Sequence, residues 1–372
     1  MSEHKTVLVV GANGLVGSAV VKHLRASSCR VIATQRKAPR QNDDRHDDRV
    51  EYRLADLSDR AACHDLFSKM GEVTHLVYAA LYENPHLVSG WSDDAQIRIN
   101  DAMFKAVLDP LVAARGALRH VTLLQGTKAY GVHVRAIPVP AREDRDELRS
   151  QTNFYWAQEA HLRTAAEKAA GTADWGWTIL RPTLIVGGVI GGAMNAIPPL
   201  CVFASLLKEQ ALPLAYPGGG PRIAAAVDVD LLARAISWAG DTATARNRTF
   251  NVTNGDVYVW ENIWPLFAEE MGMPLGTPEP RSINDFCGVR GDLWDKIRQD
   301  HQLASPDLQS FVGPSLQYCD YLLRYGQPDP GPSTAVSTIA IQQAGFHDVM
   351  DSEDMFRKWI RNLQIRRLIP RP

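Results

Sequence analysis

The feature that most constrains the fold is a turn with three glycines close to the start of the chain. Gly11, Gly14 and Gly17 follow the apolar run Thr6–Val10 and lead into the amphipathic stretch Leu15–Ala26. In such a unit the first glycine permits a tight turn, the second lets a pyrophosphate approach the backbone, and the third allows close helix–strand packing. The helix N-terminus adds amide donors and a favourable dipole. The pattern therefore predicts a dinucleotide-binding βαβ unit.

The first half of the chain continues this alternation of short β-branched runs with longer amphipathic stretches, which is typical of a parallel sheet. Each predicted strand is apolar almost throughout, as expected of strands covered on both faces. The predicted strands are Thr6–Val10, Arg30–Thr34, Val50–Leu54, Thr74–Ala79, His120–Leu124 and Trp177–Leu180. The predicted helices are Leu15–Ala26, Ser58–Met70, Ala95–Ala117 and a stretch from about 151 to 170. We expect an α/β fold with a Rossmann-type, doubly wound parallel sheet.

The regularity fades after Pro182, where glycine and proline clusters suggest segments that leave the sheet. Arg248–Val252 has the pattern of a strand that returns to it. We expect a dinucleotide-binding domain over residues 1–190, with its sheet completed by about 222–254. Residues of about 191–221 and 255–372 are predicted to form a smaller, mainly helical lobe and C-terminal segment that cover the substrate.

Composition argues against several classes of protein. A formal net charge of -2 over 372 residues gives no electrostatic basis for binding nucleic acid or an anionic membrane. The five cysteines are scattered without a CxxC pair, which favours neither a zinc knuckle nor a disulfide framework. No basic leader precedes an apolar run, and no run approaches about 18 apolar residues. We expect a cytoplasmic protein without a metal site, and a homodimer is compatible with the sequence.

The residues after the second predicted strand indicate which dinucleotide binds. An NAD site usually places an acid about 20 residues after the glycines, where it accepts from the ribose 2′-hydroxyl. Here Thr34 and Gln35 are followed by Arg36 and Lys37, with no acid. A carboxylate would repel a 2′-phosphate, whereas a guanidinium can bind it through paired hydrogen bonds. NADPH is the predicted cofactor; the alternative is that both cations merely begin a charged loop.

Other cofactor candidates lie at the ends of predicted strands. Asp56 follows the third strand, where an acid can accept from the adenine amino group; its alternative role is a helix N-cap, for which Ser58 competes. The candidates from the glycine turn and the strand ends are Gly11, Asn13, Gly14, Leu15, Val16, Gly17, Arg36, Lys37, Asp56, Leu57, Ala80 and Leu124.

The catalytic residues follow an unusual arrangement. Most short-chain dehydrogenases carry a tyrosine and a lysine four residues apart on one helix, but no tyrosine here has lysine at that spacing. Tyr155 is followed there by Glu159. Either no working pair exists, or the lysine comes from another segment. Lys128 lies directly after the fifth predicted strand, at the carboxyl edge of the sheet, and Tyr155 lies near the start of the next long helix.

These two segments resemble the progesterone 5β-reductase and iridoid synthase family, atypical short-chain dehydrogenases with lysine in G-x-K-H-Y and tyrosine in N-F-Y-Y-x-x-E-D. The chain keeps the residues Gly126, Lys128, Tyr130, Asn153, Phe154, Tyr155 and Glu159. It departs at Ala129, Trp156 and Ala160, where the family has His, Tyr and Asp. The similarity spans nearly the whole chain, including Phe250–Asp256, Gln343–Phe346 and Asp354–Trp359.

The resemblance implies NADPH-dependent reduction of an activated carbon–carbon double bond in a small apolar enone or enal. It implies Tyr155 and Lys128 as the catalytic pair, with Tyr155 also beside the cofactor. By motif position it adds the cofactor candidates Ile185, Gly192, Ala193 and Met194, and the substrate candidates Trp156 and Phe346. The residue chemistry agrees, since a tyrosine hydroxyl can stabilise an enolate and a nearby ammonium lowers the pKa of the phenol from about 10.

Several alternatives stay open at this point. The same pair could assist reduction of a carbonyl group, so chemistry at the C=C bond follows from the resemblance alone. A nucleotide-sugar epimerase would usually keep tyrosine and lysine four apart and use NAD, and a non-catalytic NADPH sensor would lack a working pair. Tyr130 is read as structural or pocket-lining, Asn100 as a core hydrogen-bonder or a cofactor-orienting residue, and His75 and His133 as local hydrogen-bonders.

Overall fold

Seven parallel strands form the centre of the molecule. The computed structural model describes residues 5–36, 49–84, 90–91, 93–171 and 173–372. The strands run in the order β3-β2-β1-β4-β5-β6-β9, and β7 and β8 pair separately as a two-stranded parallel sheet. Their bounds are β1 Thr6–Val10, β2 Arg30–Gln35, β3 Val50–Leu54, β4 His75–Tyr78, β5 His120–Leu124, β6 Gly176–Pro182, β7 Leu184–Val186, β8 Ala226–Asp228 and β9 Arg248–Val252.

The strand order reverses between β1 and β4. In open α/β sheets a crevice forms at such a point, outside the carboxyl ends of the strands, and this crevice is where ligands bind. The glycine turn follows β1 directly, and Lys128 follows β5. The predicted Rossmann-type, doubly wound parallel sheet is confirmed, and its topology directs both predicted site segments to one edge.

Helices cover both faces of the sheet and build the C-terminal region. The helices in chain order are α1 Leu15–Arg25, α2 Arg60–Phe67, α3 Asp94–Ala113, α4 Phe154–Ala169, α5 Ile197–Glu209, α6 Val229–Asp241, α7 Trp260–Glu270, α8 Ile283–Gly288, α9 Gly291–Asp300, α10 Leu308–Val312, α11 Ser315–Leu323, α12 Ile339–Gln343 and α13 Ser352–Ile365. One-turn 3₁₀ helices lie at Thr127–Tyr130 and Ala243–Ala245. Helix α1 packs against α6, while α3 contacts both α2 and α4.

The core follows from the two-residue period of the strands. Val7 and Val9 belong to a cluster that also contains buried residues of α1 and α6. Leu8 and Val10 point the other way, into a second cluster with residues of α2, α3 and α4. The first cluster continues without a break to Trp264 in α7 and beyond. The C-terminal helices therefore share a hydrophobic core with one face of the sheet.

Several elements differ from their predicted form for identifiable reasons. Strand β3 is not apolar throughout: Arg53 and Leu54 are exposed, because β3 is an edge strand. Helix α4 begins at Phe154 rather than near 151, since the Asn153 side chain caps it by accepting from the Tyr155 amide. Helix α2 begins at Arg60 with Asp59 as its N-cap, so neither Asp56 nor Ser58 has that role.

Two further findings concern the chain as a whole. Within the residues that the structure describes, no helix combines the length and the apolar character needed to span a bilayer. All five cysteines carry free thiols, and four of them are buried.

Candidate active site

The turn between β1 and α1 requires glycine at two positions. Gly11 has φ of +82°, a conformation that L-residues rarely adopt. A Cβ on Gly17 would lie 2.2 Å from the carbonyl oxygen of Gly11. The amides of Gly11 and Ala12 donate to the Thr34 carbonyl at 3.1 and 3.0 Å, which ties the turn to β2. Among the described residues, no side chain caps the N-terminus of α1, and the first amides of a helix are the donors that a phosphate can use.

The residues that would distinguish NADP from NAD lie at the ends of β2 and β3. Arg36 is exposed, and Lys37 lies outside the described residues. Asp56 is also exposed, and its carboxylate accepts from the Ser58 amide at 3.0 Å and from the Ser58 hydroxyl at 2.7 Å. These bonds, with a smaller contribution from Arg36, lower the pKa of Asp56. Asp56 is thus held in a turn at the crevice edge, and its predicted contact with adenine stays a prediction.

Other candidate cofactor residues lie close to the glycine turn. A Cβ on Gly11 would lie 2.8 Å from Ala80, at the end of β4. The Leu15 side chain packs against Gly187, which follows Ile185 and β7. These contacts bring the glycine turn, the end of β4 and the end of β7 together. In the glycine turn, Asn13 is exposed and Val16 is buried. Leu57, after β3, is also buried. The remaining candidates are partly exposed: Leu124, Gly192, Ala193 and Met194.

Tyr155 and Lys128 meet at the carboxyl edge of β5. Lys128 lies in the 3₁₀ turn after that strand, and Tyr155 lies in the first turn of α4. The ammonium nitrogen of Lys128 is 5.9 Å from the centre of the Tyr155 ring. A Cβ on Gly126 would lie only 3.2 Å from the Tyr155 hydroxyl oxygen. Glycine at position 126 therefore leaves space beside this hydroxyl that a side chain would crowd.

Lys128 is buried beside an acid that the sequence analysis did not single out. Its ammonium nitrogen lies 3.9 Å from Glu83 Oε1, and the two side chains are 12% and 7% exposed. The ammonium also lies 4.7 Å from the centre of the Trp91 ring and 5.8 Å from that of Phe154. Burial lowers the pKa of Lys128, and the charge of Glu83 opposes this effect. Burial also raises the pKa of Glu83, while the charge of Lys128 and the hydrogen bond from Gln96 act to lower it.

The Tyr155 phenol shows a shift opposite to the expected one. Burial, and then the Glu83 carboxylate, raise the pKa of Tyr155, and only Arg181 opposes them. The expected lowering by Lys128 is therefore wrong: burial, which is the larger cause, and then the Glu83 carboxylate set the direction of the shift. Tyr155 therefore keeps its proton across the physiological pH range, so its hydroxyl is available as a neutral hydrogen-bond donor.

Position 159, where the usual single-helix pair would have its lysine, holds a buried acid. Glu159 is 2% exposed and accepts from Arg149 at 3.0 Å, Arg163 at 2.9 Å and Gln125 at 3.1 Å. Gln125 in turn accepts from the Arg181 guanidinium at 2.7 Å. This network joins the start of α4 to the ends of β5 and β6, and so it fixes Tyr155 against the sheet.

The structure shows the contacts of the four residues for which the sequence analysis gave alternative or local hydrogen-bonding roles. Tyr130 is structural, since it is fully buried and donates to Asn251 Oδ1. Asn100 is a core hydrogen-bonder: its amide pairs with the amide and carbonyl of Tyr82, next to Glu83, at 2.9 Å each. His75 bonds locally to Thr74 and Gly240 as predicted. For His133 the prediction is wrong, because neither of its buried ring nitrogens has a partner among the described residues.

The two predicted substrate residues, Trp156 and Phe346, contact different parts of the structure. Trp156 is next to Tyr155, but its indole N–H donates to the Gln151 carbonyl and its ring stacks with the Arg149 guanidinium at 4.6 Å. Phe346 is buried against Trp238, with ring centres 5.5 Å apart. It lines a small hollow beside the end of β9, together with Val252 and Ile341.

Glu83 and Trp91 escaped prediction because they lie between β4 and α3, where the sequence carries no motif. The only available signal is topological: the end of β4 adjoins the end of β5, so an acid after β4 approaches Lys128. Over the described ranges, no group of three or more His, Cys, Asp or Glu side chains is placed to hold a metal ion.

Comparisons with known proteins agree with this architecture. The model of the NAD dependent epimerase/dehydratase family matches residues 7–253. An (S)-8-oxocitronellyl enol synthase from Nepeta cataria is 28% identical over 98% of this chain and 91% of its own length. A 3-oxo-Delta(4,5)-steroid 5-beta-reductase from Arabidopsis thaliana is 27% identical over 99% of this chain and 94% of its own. The resemblance inferred from the two motifs is thereby confirmed.

Among solved structures, the UDP-glucose 4-epimerase of Thermotoga maritima superposes with a TM-score of 0.66 at 15% identity. The match covers 97% of this chain and 99% of that one. At this identity the likeness shows the shared fold alone.

Proposed function

Because the chain belongs to the NAD dependent epimerase/dehydratase family, we propose that it is an NADPH-dependent reductase of activated C=C bonds in small enones or enals. The observation that carries the proposal is the approach of Lys128 and Tyr155 from separate segments, beside the space that Gly126 leaves open. Relatives named as an enol synthase and as a steroid 5-beta-reductase support this chemistry.

The residues present fit a dinucleotide. The glycine turn and the uncapped start of α1 would hold the pyrophosphate, and Arg36 would contact the 2′-phosphate that distinguishes NADP. We place the nicotinamide end near Tyr155, flanked by the segment from Ile185 to Met194. The bound cofactor supplies a hydride to the β-carbon of the substrate.

Tyr155 and Lys128 would act on the charge that this hydride creates. As the β-carbon gains the hydride, negative charge develops on the carbonyl oxygen, and the neutral Tyr155 hydroxyl donates to that oxygen. A donor of this kind typically contributes about 2.7–4 kcal/mol to the transition state. When Tyr155 shares its proton, the nearby Lys128 ammonium offsets the charge that the phenol acquires. Complete transfer of the Tyr155 proton to that oxygen would give an enol, and solvent would then reprotonate the tyrosinate. The enol leaves and gives the saturated carbonyl compound on tautomerisation.

The arrangement around Tyr155 weighs against an epimerase of the usual kind. That activity would employ a lysine four residues after the tyrosine, on the same helix. Here the buried Glu159 occupies that position and pairs with Arg149 and Arg163. Reduction of a C=O group would use the same tyrosine donor, so assays with a panel of substrates are needed to distinguish C=C reduction from C=O reduction.

The decisive experiment follows NADPH oxidation with a panel of enones, enals and their saturated carbonyl analogues. We expect turnover of the enones, and Tyr155→Phe should lower kcat by about 10²–10³-fold, the usual effect of losing one such donor. The affinity for NADPH should stay nearly unchanged. Tyr325→Phe, at an exposed tyrosine of the C-terminal region, serves as the matched control.

Each alternative predicts a different result. Full activity in Tyr155→Phe would refute the assignment of the tyrosine. Turnover of the saturated aldehydes in place of the enones would indicate a carbonyl reductase, and NADPH binding without any turnover would indicate a sensor.

A second experiment addresses the cofactor. If Arg36 binds the 2′-phosphate, NADPH should raise the melting temperature more than NADH at equal concentration, because the ligand that binds the folded state more tightly stabilises it more. Arg36→Glu should remove or reverse that difference. Arg98→Glu reverses an exposed charge on α3; it is the control and should keep the difference between NADPH and NADH. An unchanged preference for NADPH in Arg36→Glu would contradict the assignment.

A further inference from the structure

Three side chains around Lys128 carry buried polar atoms without a hydrogen-bond partner in the described part of the chain. They are Glu83 Oε1, Trp91 Nε1 and both ring nitrogens of His133. Trp91 links the group, since its ring centre lies 4.7 Å from the Lys128 ammonium and 6.1 Å from the centre of the His133 ring, which it meets edge-on. Buried polar atoms are nearly always paired in folded proteins, so this concentration indicates that a ligand supplies the partners.

The chemistry of these atoms restricts what the ligand group can be. Burial, and then the positive charge of Lys128, lower the pKa of His133 to about 4. His133 is therefore neutral at physiological pH and offers one donor and one acceptor. The indole N–H of Trp91 can only donate, and an ionised Glu83 Oε1 can only accept. A matching group must both accept and donate.

Charge restricts the group further. Glu83 and Lys128 face each other at 3.9 Å, so their charges compensate and the cluster has no net charge to attract an ion. A carboxylate on the ligand would approach the unpaired oxygen of Glu83 and be repelled. A ketone oxygen could accept from Trp91 but would leave the acceptor atoms of His133 and Glu83 unmatched. A hydroxyl meets both requirements, because its oxygen accepts while its hydrogen is donated.

We infer that Glu83, Trp91 and His133 form a subsite that binds a hydroxyl group on the substrate, separate from the carbonyl that Tyr155 would contact. The inference rests on the proposed function and deepens it, since it names hydroxylated enones or enals as the substrate class. The hydroxyl oxygen accepts from Trp91, and its hydrogen is donated to His133 or to Glu83. The subsite thus selects among enones that the Tyr155 and Lys128 pair would treat alike.

The first test measures binding, independently of turnover. Dissociation constants are determined by calorimetry, in the presence of NADP⁺, for straight-chain 2-ketones of several lengths and for the same ketones with a terminal hydroxyl. At least one hydroxylated ketone should bind about 10-fold or more tightly than its unsubstituted partner, the effect of about one hydrogen bond to a buried group. A terminal carboxylate should give no such gain.

Matched variants locate the effect. His133→Phe keeps a ring but removes both nitrogens, and Trp91→Phe removes the indole N–H; each should bring the affinity ratio close to one. Trp175→Phe is the control, because Trp175 also has a buried, unpartnered indole N–H but lies in the core cluster that contains residues of α2 and α3. That variant should keep the preference.

The second test compares kcat/KM for 2-enals with and without a terminal hydroxyl, and the same variants should abolish the preference. Absence of enone reduction would defeat the proposed function, while the dissociation constants would still decide the subsite. Equal affinity for both members of every pair in the wild-type protein would show that only water fills the subsite. That result, or a preference that survives in both His133→Phe and Trp91→Phe, overturns the inference.

Discussion

At the scale of single residues, Glu83 determines how Lys128 can behave. A buried lysine without a counter-ion tends to lose its proton, because burial penalises the charged form. Glu83 opposes that effect from 3.9 Å, while Trp91 and Phe154 provide aromatic rings near the ammonium. Asn100 and Gln96 hold the segment that carries Glu83 through hydrogen bonds to Tyr82 and to the carboxylate itself. The acid is thus fixed in place rather than free to turn away.

Glu83→Gln should therefore narrow the pH range of activity. Glu83 raises the pKa of Lys128 against burial, so the amide variant leaves that pKa lower. Activity that needs the ammonium is lost as pH rises through the pKa of Lys128, and the alkaline limb of kcat should move to lower pH. The groups that face this pair are Tyr155 and His133, and His133 is neutral throughout that limb.

The measurement is kcat against pH at saturating NADPH and enone. Glu261→Gln, at an exposed acid in the first turn of α7, is the control and should leave the profile in place. An unchanged or more alkaline limb in Glu83→Gln would contradict the role assigned to the acid.

Residue identities were predictable where a motif exists. Lys128 and Tyr155 were named from their segments, and the structure brings them together. Glu83 and Trp91 were missed, since their proximity to Lys128 comes from strand order and not from any local pattern. His133 was misread because a sequence does not show whether a buried ring finds partners.

At the scale of elements, Asp228 connects three of them. It ends β8 and caps α6 by accepting from the amides of Asp230 and Leu231. The same carboxylate accepts from Lys358 at 2.8 Å and from the Trp359 indole at 2.9 Å, both on α13. One buried acid therefore holds the start of α6 and the C-terminal helix together.

Asp228→Ala should cost about 2–4 kcal/mol of unfolding free energy, because it removes a helix cap and leaves the buried Trp359 indole N–H without its acceptor. Lys358 keeps its ion pair with Asp230 in this variant. Urea unfolding followed by circular dichroism measures the loss. Asp59→Ala removes only the exposed cap of α2 and should cost about 1 kcal/mol. Equal losses in the two variants would show that the contacts with α13 contribute nothing.

Element boundaries were predictable where chain chemistry is local. Strands β1, β3, β5 and β9 have the predicted bounds. The sequence does not predict helix α5, because adjacent prolines such as Pro198 and Pro199 are typical of segments outside helices. Both lie in the first turn of α5, where proline is tolerated since those amides have no intrahelical partner. The character of β3 was misjudged because a sequence does not say which strand will be at an edge.

At the scale of the whole molecule, the sheet and the C-terminal helices share one continuous core. The fold class was predictable from the glycine turn and the alternation of strands and helices. The division near residue 190 stays a prediction, because nothing in the strand pattern defines where a shared core would separate into two lobes.

The thiols report on this core. Burial raises the pKa of Cys63 to about 11 and also raises those of Cys201, Cys287 and Cys319. Only the thiolate reacts, so Ellman's reagent at pH 8 should modify Cys29 alone in the native protein, and all five cysteines in 8 M urea (a concentration of about this size unfolds most domains). Rapid reaction of two or more thiols under native conditions would show that the core opens readily.

The acid at position 159 affects how this arrangement of tyrosine and lysine could change in evolution. A change to lysine there would restore the spacing of the ordinary dehydrogenase pair, but it would place a fourth cation among Arg149, Arg163 and Arg181 and deprive all three of a shared carboxylate. Such a variant should be less stable than the wild-type protein, because the three arginines would lose one carboxylate and gain a neighbouring positive charge. Conversion of the split arrangement into the ordinary one would therefore require compensating changes at the arginines as well as the change at position 159.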